Sequence, residues 1–126
     1  MANKVNIRTG TAIIEMARVR KACANKKFLS DYFSADEIRF LVSHRLSTSL
    51  IAENYCVKIA VAKALGTGMR LIRAHDITVL RDRLGAPFVI TEGNLKIQEQ
   101  REGFEISVSV AHCKDYATAS VIITRY

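Results

Sequence analysis

One helical segment constrains the fold of this chain more than any other part of the sequence. Four apolar side chains recur at i, i+4, i+8 and i+11, which is one face of a helix: Ile51, Tyr55, Ile59 and Ala62. Gly66 follows where a glycine typically caps the C-terminal end of a helix. The pattern therefore predicts a long helix that packs one face against the core and ends at Gly66.

The remaining segments predict strands around this helix, together with shorter helices. "KVNIRTGTAII" predicts a first strand with a break near Gly10, and "DITVLRDRLGAPFVIT" predicts a hairpin that turns at residues 82 to 85. "FEISVSVAHC" and "YATASVIITRY" predict an antiparallel pair joined by "KD". The last segments of the chain are therefore expected to form mostly antiparallel sheet.

Helices are predicted between the first strand and the hairpin. "IEMARVRKACANKKF" predicts a helix with a basic exposed side, and Ser34 with Glu37 forms a capping box at the start of another helix. "EGNLKIQEQREG" fits either a short helix or a loop. This order predicts an α+β fold with helices packed on an antiparallel sheet, as a single domain over residues 1–126.

The charge balance narrows the class of partner. Lysine and arginine total 19 and aspartate and glutamate total 12, so the net charge is +7. Such a charge favours anionic partners, namely phosphorylated small molecules, nucleic acid or an acidic protein. The basic first helix lacks interleaved aromatic residues and no nucleic-acid-binding motif accompanies it, so we expect no nucleic-acid partner.

Cysteine usage and hydropathy indicate the compartment. Cys23, Cys56 and Cys113 are far apart and odd in number, which is typical of free thiols in a reducing environment. We find neither an apolar run long enough to span a membrane nor the apolar core of a signal peptide in "MANKVNIRTG". We therefore expect a cytoplasmic protein that does not bind membranes.

Two groups of residues are candidates for binding phosphate. Lys58 and Lys63 precede the turn Gly66-Thr67-Gly68, which fits either a helix cap or a phosphate site built from lysines and exposed amides. The turn ends a helix, so the helix dipole does not attract an anion there. His112 ends an apolar strand, and fits either an ordinary strand-end histidine or a cation aimed at a phosphate.

Four segments in order resemble one enzyme family. "KIAVAKALGTG" resembles the KEAxxKAxGTG motif of holo-acyl-carrier-protein synthases, the small 4′-phosphopantetheinyl transferases. "GTAIIEMAR" is similar to the N-terminal GxDIxExxR of that family, "DITVLRDRLGAPFV" to its central hairpin, and "ISVSVAHCKDYATASVII" to its closing strands. The resemblance covers residues 5 to 124.

The resemblance implies a fold, a reaction and partners. The family fold is a small α+β domain that assembles as a homotrimer with active sites between subunits. Its members transfer 4′-phosphopantetheine from coenzyme A to a serine of apo acyl carrier protein. Magnesium, bound by two protein carboxylates, and lysine then neutralise charge on the leaving diphosphate. The carrier protein is acidic, which suits a basic docking helix.

The resemblance also assigns roles to individual residues. Lys63 matches the lysine that contacts the phosphates and assists the leaving group, and Lys58 matches the lysine before the metal-binding glutamate. The remaining coenzyme A-binding positions are Gly66, Thr67, Gly68 and His112. Arg18 matches the first-helix arginine that meets the carrier protein, with Arg20 and Lys21 beside it.

The two metal positions depart from the family pattern. Ala12 stands at the aspartate of GxDIxE and Ile59 at the glutamate of KEA, so neither side chain can bind magnesium, which requires oxygen ligands. Asn54 stands where the family usually has an arginine. These departures leave three hypotheses: an impaired or non-catalytic homologue, an active transferase with relocated metal ligands, and a structural or regulatory protein that binds coenzyme A or the carrier.

Overall fold

The computed structural model describes residues 6–66 and 72–125. The principal sheet has three antiparallel strands in the order β1-β5-β4: β1 is Asn6–Glu15, β4 is Phe104–His112 and β5 is Tyr116–Arg125. β2 (Ile77–Arg81) and β3 (Pro87–Thr91) form a separate hairpin. The predicted hairpin and the predicted closing pair of strands are both confirmed.

Within the described residues, five α-helices complete the fold. They are α1 (Met16–Cys23), α2 (Phe28–Tyr32), α3 (Ala35–Ser43), α4 (Thr48–Leu65) and α5 (Gly93–Glu102). The capping box at α3 is confirmed, since Ser34 and Glu37 exchange side-chain and backbone hydrogen bonds. The segment "EGNLKIQEQREG" contains a helix, α5. The basic segment after β1 gives a shorter helix than expected, and α2 is an additional helix that the sequence patterns did not predict.

β1 runs through Gly10 without the predicted break. Gly10 pairs with Val121 in the middle of the ladder, and a Cβ there would lie 2.0 Å from the carbonyl oxygen of Ala60 on α4. The glycine therefore allows close contact between strand and helix, and no chain break is needed to explain it. This contact fixes the seam between β1 and α4, where several candidate site residues lie.

α4 is the central element of the core. Its end is as predicted: Gly66 adopts the left-handed conformation with φ of 80°. The expected single apolar face is wrong in extent, because Ala52, Cys56, Ala60 and Leu65 on other faces are also buried. Sheet, hairpin and helices enclose α4 on nearly all sides, so the charged residues that it carries must find partners inside the protein.

One face of the three-stranded sheet packs on α4, while the other face is uncovered in the single chain. On the uncovered face Ile7, Ile13 and Ile122 are exposed, among threonine and serine side chains. All three cysteines are free thiols. No helix within residues 6–66 and 72–125 is long and apolar enough to cross a bilayer.

Candidate functional site

The seam between β1 and α4 brings three of the sequence-predicted positions together. The Lys63 ammonium donates to the backbone oxygen of Thr11 over 3.0 Å and stays exposed to solvent. Ala12 follows Thr11 on the strand, and Lys63 and Ala12 line the same surface depression. Ile59 lies one helical turn before Lys63, half-buried against the core. The seam therefore presents one exposed cation beside two apolar side chains.

The residues of this seam do not fit a magnesium ion. Magnesium takes oxygen ligands in near-octahedral geometry, but Ala12 offers a methyl group and Ile59 an alkyl chain. The backbone oxygen of Thr11 already accepts a hydrogen bond from Lys63. Across the described ranges, no three histidine, cysteine, aspartate or glutamate side chains converge as a metal site would require. The cation that the described residues place beside Ala12 is the Lys63 ammonium.

Lys58 lies in the core, away from any ligand. Its side chain is 1% exposed, and its ammonium donates to Glu37 Oε1 over 2.6 Å and to Ala74 O over 2.9 Å. A third hydrogen bond goes to the carbonyl oxygen of Ile77. Because an ammonium has three donors and all are used, none remains for a phosphate. The structure thus argues against the predicted contact between Lys58 and coenzyme A.

Burial perturbs both partners of this pair. Desolvation lowers the pKa of Lys58, and the nearby Glu37 carboxylate opposes that effect. Desolvation likewise raises the pKa of Glu37, against the effect of Lys58. The pair joins α4 to the N-terminus of α3, since Glu37 also accepts from the Ser34 backbone amide over 3.0 Å. Lys58 therefore has a structural role between α3, α4 and the start of the hairpin.

The predicted phosphate-binding turn is described only at its first residue. Gly66 caps α4, and a Cβ at this position would lie 3.3 Å from a guanidinium nitrogen of Arg8. Thr67 and Gly68 lie outside the described residues. Arg8, at the start of β1, therefore brings a second basic group to the C-terminal end of α4.

His112, at the end of β4, contacts the Glu53 carboxylate of α4. Its Nδ1 lies 2.9 Å from Glu53 Oε2, and the imidazole is 47% exposed. The other oxygen of Glu53 accepts from Arg81 over 3.2 Å. The partners of Glu53 therefore come from two strands, β2 and β4.

Arg81 and Asn54 extend this cluster into the core. Arg81 donates to Asn54 Oδ1 over 2.8 Å, and the Asn54 amide donates to the Val79 carbonyl over 3.1 Å. The guanidinium thus lies next to the position where the related family has an arginine. Sequence reasoning missed Arg81, although an asparagine at an arginine position was a reason to look for a guanidinium elsewhere in the chain.

The basic residues of α1 border an apolar cavity. Arg18 lies at a cavity of about 350 Å³, and Arg20 and Lys21 are exposed on the same helix. The remaining lining comes from β1, α1, the start of α2 and α4: Ile13, Ile14, Val19, Ala22, Phe28, Tyr55 and Ile59. An apolar pocket rimmed by a guanidinium suits an acidic partner that inserts an apolar side chain.

A second cavity, of about 530 Å³, lies between the end of α3 and the hairpin turn. Arg81, Arg83 and His44 line it together with Phe40 and Leu50. Glu53 borders this cavity and also contacts His112. The cavity therefore combines apolar walls with charged groups of both signs, since Asp82 also lines it.

Comparison with known proteins identifies the family. A family model described as the 4′-phosphopantetheinyl transferase superfamily matches residues 9–121. The chain belongs to this superfamily. A holo-[acyl-carrier-protein] synthase of Clostridium perfringens is 40% identical over 121 residues, with 90% of each chain covered. One from Lachnoclostridium phytofermentans is 41% identical over 114 residues, covering 90% of this chain and 91% of the relative.

Solved structures of such synthases share the fold. The Bacillus anthracis enzyme, in complex with CoA (3′,5′-ADP), is 27% identical with a TM-score of 0.79, covering 96% of this chain and 98% of the other. The Helicobacter pylori enzyme, in complex with coenzyme A, has the same identity and TM-score and covers 91% and 98%. The α+β fold and the resemblance to holo-acyl-carrier-protein synthases are thus confirmed.

Proposed function

We propose that this chain binds coenzyme A and an acyl carrier protein but is impaired or inactive in magnesium-dependent transfer of 4′-phosphopantetheine. The observation that carries the proposal is the pair Ala12 and Ile59, which lie on the two sides of one seam and offer no oxygen to a metal. Losing the metal removes its stabilisation of charge on the leaving diphosphate. The exposed Lys63 then provides the remaining cation at this point.

Several features support retained binding. Lys63, Gly66 and His112 would contact coenzyme A together with Thr67 and Gly68, while Lys58 supports the fold. The basic, apolar-lined cavity at Arg18 suits the acidic carrier protein, with Arg20 and Lys21 adding long-range attraction. Two relatives of similar fold are described in complex with coenzyme A or its fragment.

A homotrimer completes the proposal. The uncovered sheet face exposes Ile7, Ile13 and Ile122, and apolar side chains on an uncovered sheet favour association. We also propose that residues 1–126 act as one domain in the cytoplasm. Light scattering coupled to gel filtration tests the assembly, and a monomer at micromolar concentration would contradict it.

The decisive experiment is a transfer assay. Apo acyl carrier protein, coenzyme A and magnesium are incubated with the protein, and mass spectrometry detects the added phosphopantetheine. The Clostridium perfringens synthase serves as the positive control. We expect transfer far below that control, because several kcal/mol of transition-state stabilisation depend on the metal. Transfer at a comparable rate would favour the alternative, an active enzyme with relocated metal ligands.

Restoring the carboxylates tests the cause of the impairment. We expect Ala12→Asp combined with Ile59→Glu to create magnesium binding, measured by calorimetry, and to raise transfer. Ala12→Asn combined with Ile59→Gln is the matched control, because it adds similar volume without charge. If the charged variant gives a normal melting curve but does not bind magnesium, the seam differs from the family in more than its two ligand positions.

A thermal shift tests coenzyme A binding directly. A ligand that binds only the folded state raises the melting temperature. We expect a rise at millimolar coenzyme A without magnesium. The absence of any shift would argue against a retained nucleotide pocket and would leave, of the second alternative, a structural or regulatory protein that binds the carrier protein alone.

A further inference from the structure

The carboxylate of Glu53 is held between two basic side chains at the edge of the candidate site. Its side chain is 8% exposed, and both oxygens are used: Oε1 accepts from Arg81 and Oε2 lies 2.9 Å from His112 Nδ1. A buried carboxylate retains its charge only with such partners. Glu53 therefore has a fixed position that does not depend on a bound ligand.

The hairpin also holds the Glu53 carboxylate in this position. Arg81 contacts Glu53 with one guanidinium nitrogen and Asn54 Oδ1 with another, and the Asn54 amide is anchored on the Val79 carbonyl. Glu53 and Asn54 come from α4, whereas Arg81 and Val79 come from β2. The carboxylate is thus fixed by two elements of the fold, which is how a supporting group is kept in one orientation.

The contact determines the chemistry of the His112 ring. An ionised carboxylate only accepts hydrogen bonds, so the proton of this contact belongs to Nδ1. In the neutral ring Nε2 is then an acceptor, and in the charged ring Nε2–H is the remaining donor. Among the residues that the structure describes, Nε2 has no hydrogen-bond partner. The ring therefore offers one defined nitrogen to a ligand.

We propose that Glu53 is a positioning residue that directs Nε2 of His112 toward a phosphate group of coenzyme A. The inference rests on the proposed binding of coenzyme A and adds a residue to that site. Glu53 does not touch the ligand. It acts by fixing the orientation of the ring and by pairing with its protonated form, in which Nε2–H donates to a phosphate oxygen. The neutral ring, with its proton on Nδ1, presents only an acceptor at Nε2.

The ring of His112 reports this role without any ligand. Long-range proton–nitrogen NMR on labelled protein assigns the ring tautomer, with His44 and His75 as internal references. We expect the neutral ring to carry its proton on Nδ1 in the wild-type protein and to shift toward the Nε2–H form in Glu53→Gln. Glu105→Gln, on the exposed edge of β4, is the matched control and leaves the ring spectrum unchanged. Identical His112 spectra for wild-type and Glu53→Gln overturn the proposal.

A double-mutant cycle tests the role in binding. Coenzyme A affinity is measured by calorimetry for the wild-type protein, Glu53→Gln, His112→Ala and the double variant. We expect Glu53→Gln to weaken binding about fivefold, the effect of impairing one hydrogen bond to a charged group. On the His112→Ala background the same change should have less than about a twofold effect, because Glu53 acts through the ring. Equal weakening on both backgrounds overturns the proposal.

Melting curves accompany both measurements. If Glu53→Gln fails to fold, Glu53→Asp replaces it, since the shorter side chain keeps the charge but withdraws the carboxylate from Nδ1. Different results would contradict the proposed coenzyme A binding and the positioning role of Glu53. Wild-type protein that does not bind coenzyme A overturns the proposed function together with the ligand contact of His112. Binding without coupling between Glu53 and His112 overturns the positioning role alone.

Discussion

In α4 up to residue 58, Glu53, Asn54 and Lys58 are buried and each has defined partners from α3, the hairpin or β4. From residue 59 to the end of the helix, Ile59 packs against the core and Lys63 extends into solvent. The first part is a closed polar network, whereas the second part is an apolar seam with one exposed cation. The two parts differ in what holds their side chains in place.

The difference indicates which substitutions this fold tolerates without a large loss of stability. An alkyl side chain at position 59 packs against the core, so the change from the family glutamate lowers the number of buried polar groups. A change at Lys58 or Glu53 would instead leave a buried partner unpaired. The departures at positions 12 and 59 therefore lie at the seam, where an apolar side chain leaves no buried charge unpaired.

Replacing Lys58 tests the closed network most severely. We expect Lys58→Ala to lower the free energy of unfolding by about 3–5 kcal/mol, because Glu37 is left buried and charged without its cationic partner. Denaturant titration measures this loss. The matched control is Lys58→Met combined with Glu37→Gln, which removes both charges and should recover most of the stability. A single variant as stable as the double variant would contradict the importance of the pair.

Much of the fold could be predicted because its signals are local. The capping box at Ser34, the helix end at Gly66 and the alternating strands depend on neighbouring residues, and each appears where it was expected. The break at Gly10 was wrong for a non-local reason. The glycine accommodates the Ala60 carbonyl of another element, and this approach has no signature within β1 itself.

The candidate site was predictable only through its resemblance to a family. Motif positions predicted that Ala12, Ile59 and Lys63 belong to one site, and they lie along one seam. The cluster around Glu53 was missed because its partners are 28 and 59 positions away in sequence. Lys58 was misinterpreted because lysine is usually exposed, and neither composition nor spacing shows that Glu37 lies within reach.

Titration of the Cys56 thiol, which lies within the buried first part of α4, is expected to change stability by an intermediate amount. Burial raises its pKa from 9.0 to about 11, with the charge of Glu53 adding to the shift. The folded state therefore keeps a proton that the unfolded state releases above pH 9. Stability is fully present below pH 9 and declines toward pH 11, by about 1 kcal/mol per pH unit at most. Denaturant titrations from pH 8 to 10 measure the decline.

Cys56→Ala is the control for that decline. The variant lacks the thiol, so its stability should fall less steeply with pH, while all other groups that titrate in this range are shared and cancel in the difference. Parallel profiles for the wild-type and variant proteins would contradict a raised pKa at this position.

Lys63→Ala is expected to have the smallest effect on folding, and it tests the exposed cation in the second part of α4. The ammonium is exposed and makes one hydrogen bond to Thr11, so we expect the free energy of unfolding to change by less than about 0.5 kcal/mol. Coenzyme A affinity should nevertheless fall about tenfold, since the variant loses a charged contact to phosphate. Arg73→Ala, an exposed cation near the 3₁₀ turn Ala74–Asp76, controls for net charge. Equal losses of affinity in the two variants would mean that Lys63 contributes only long-range attraction, and that the seam no longer holds a specific phosphate contact.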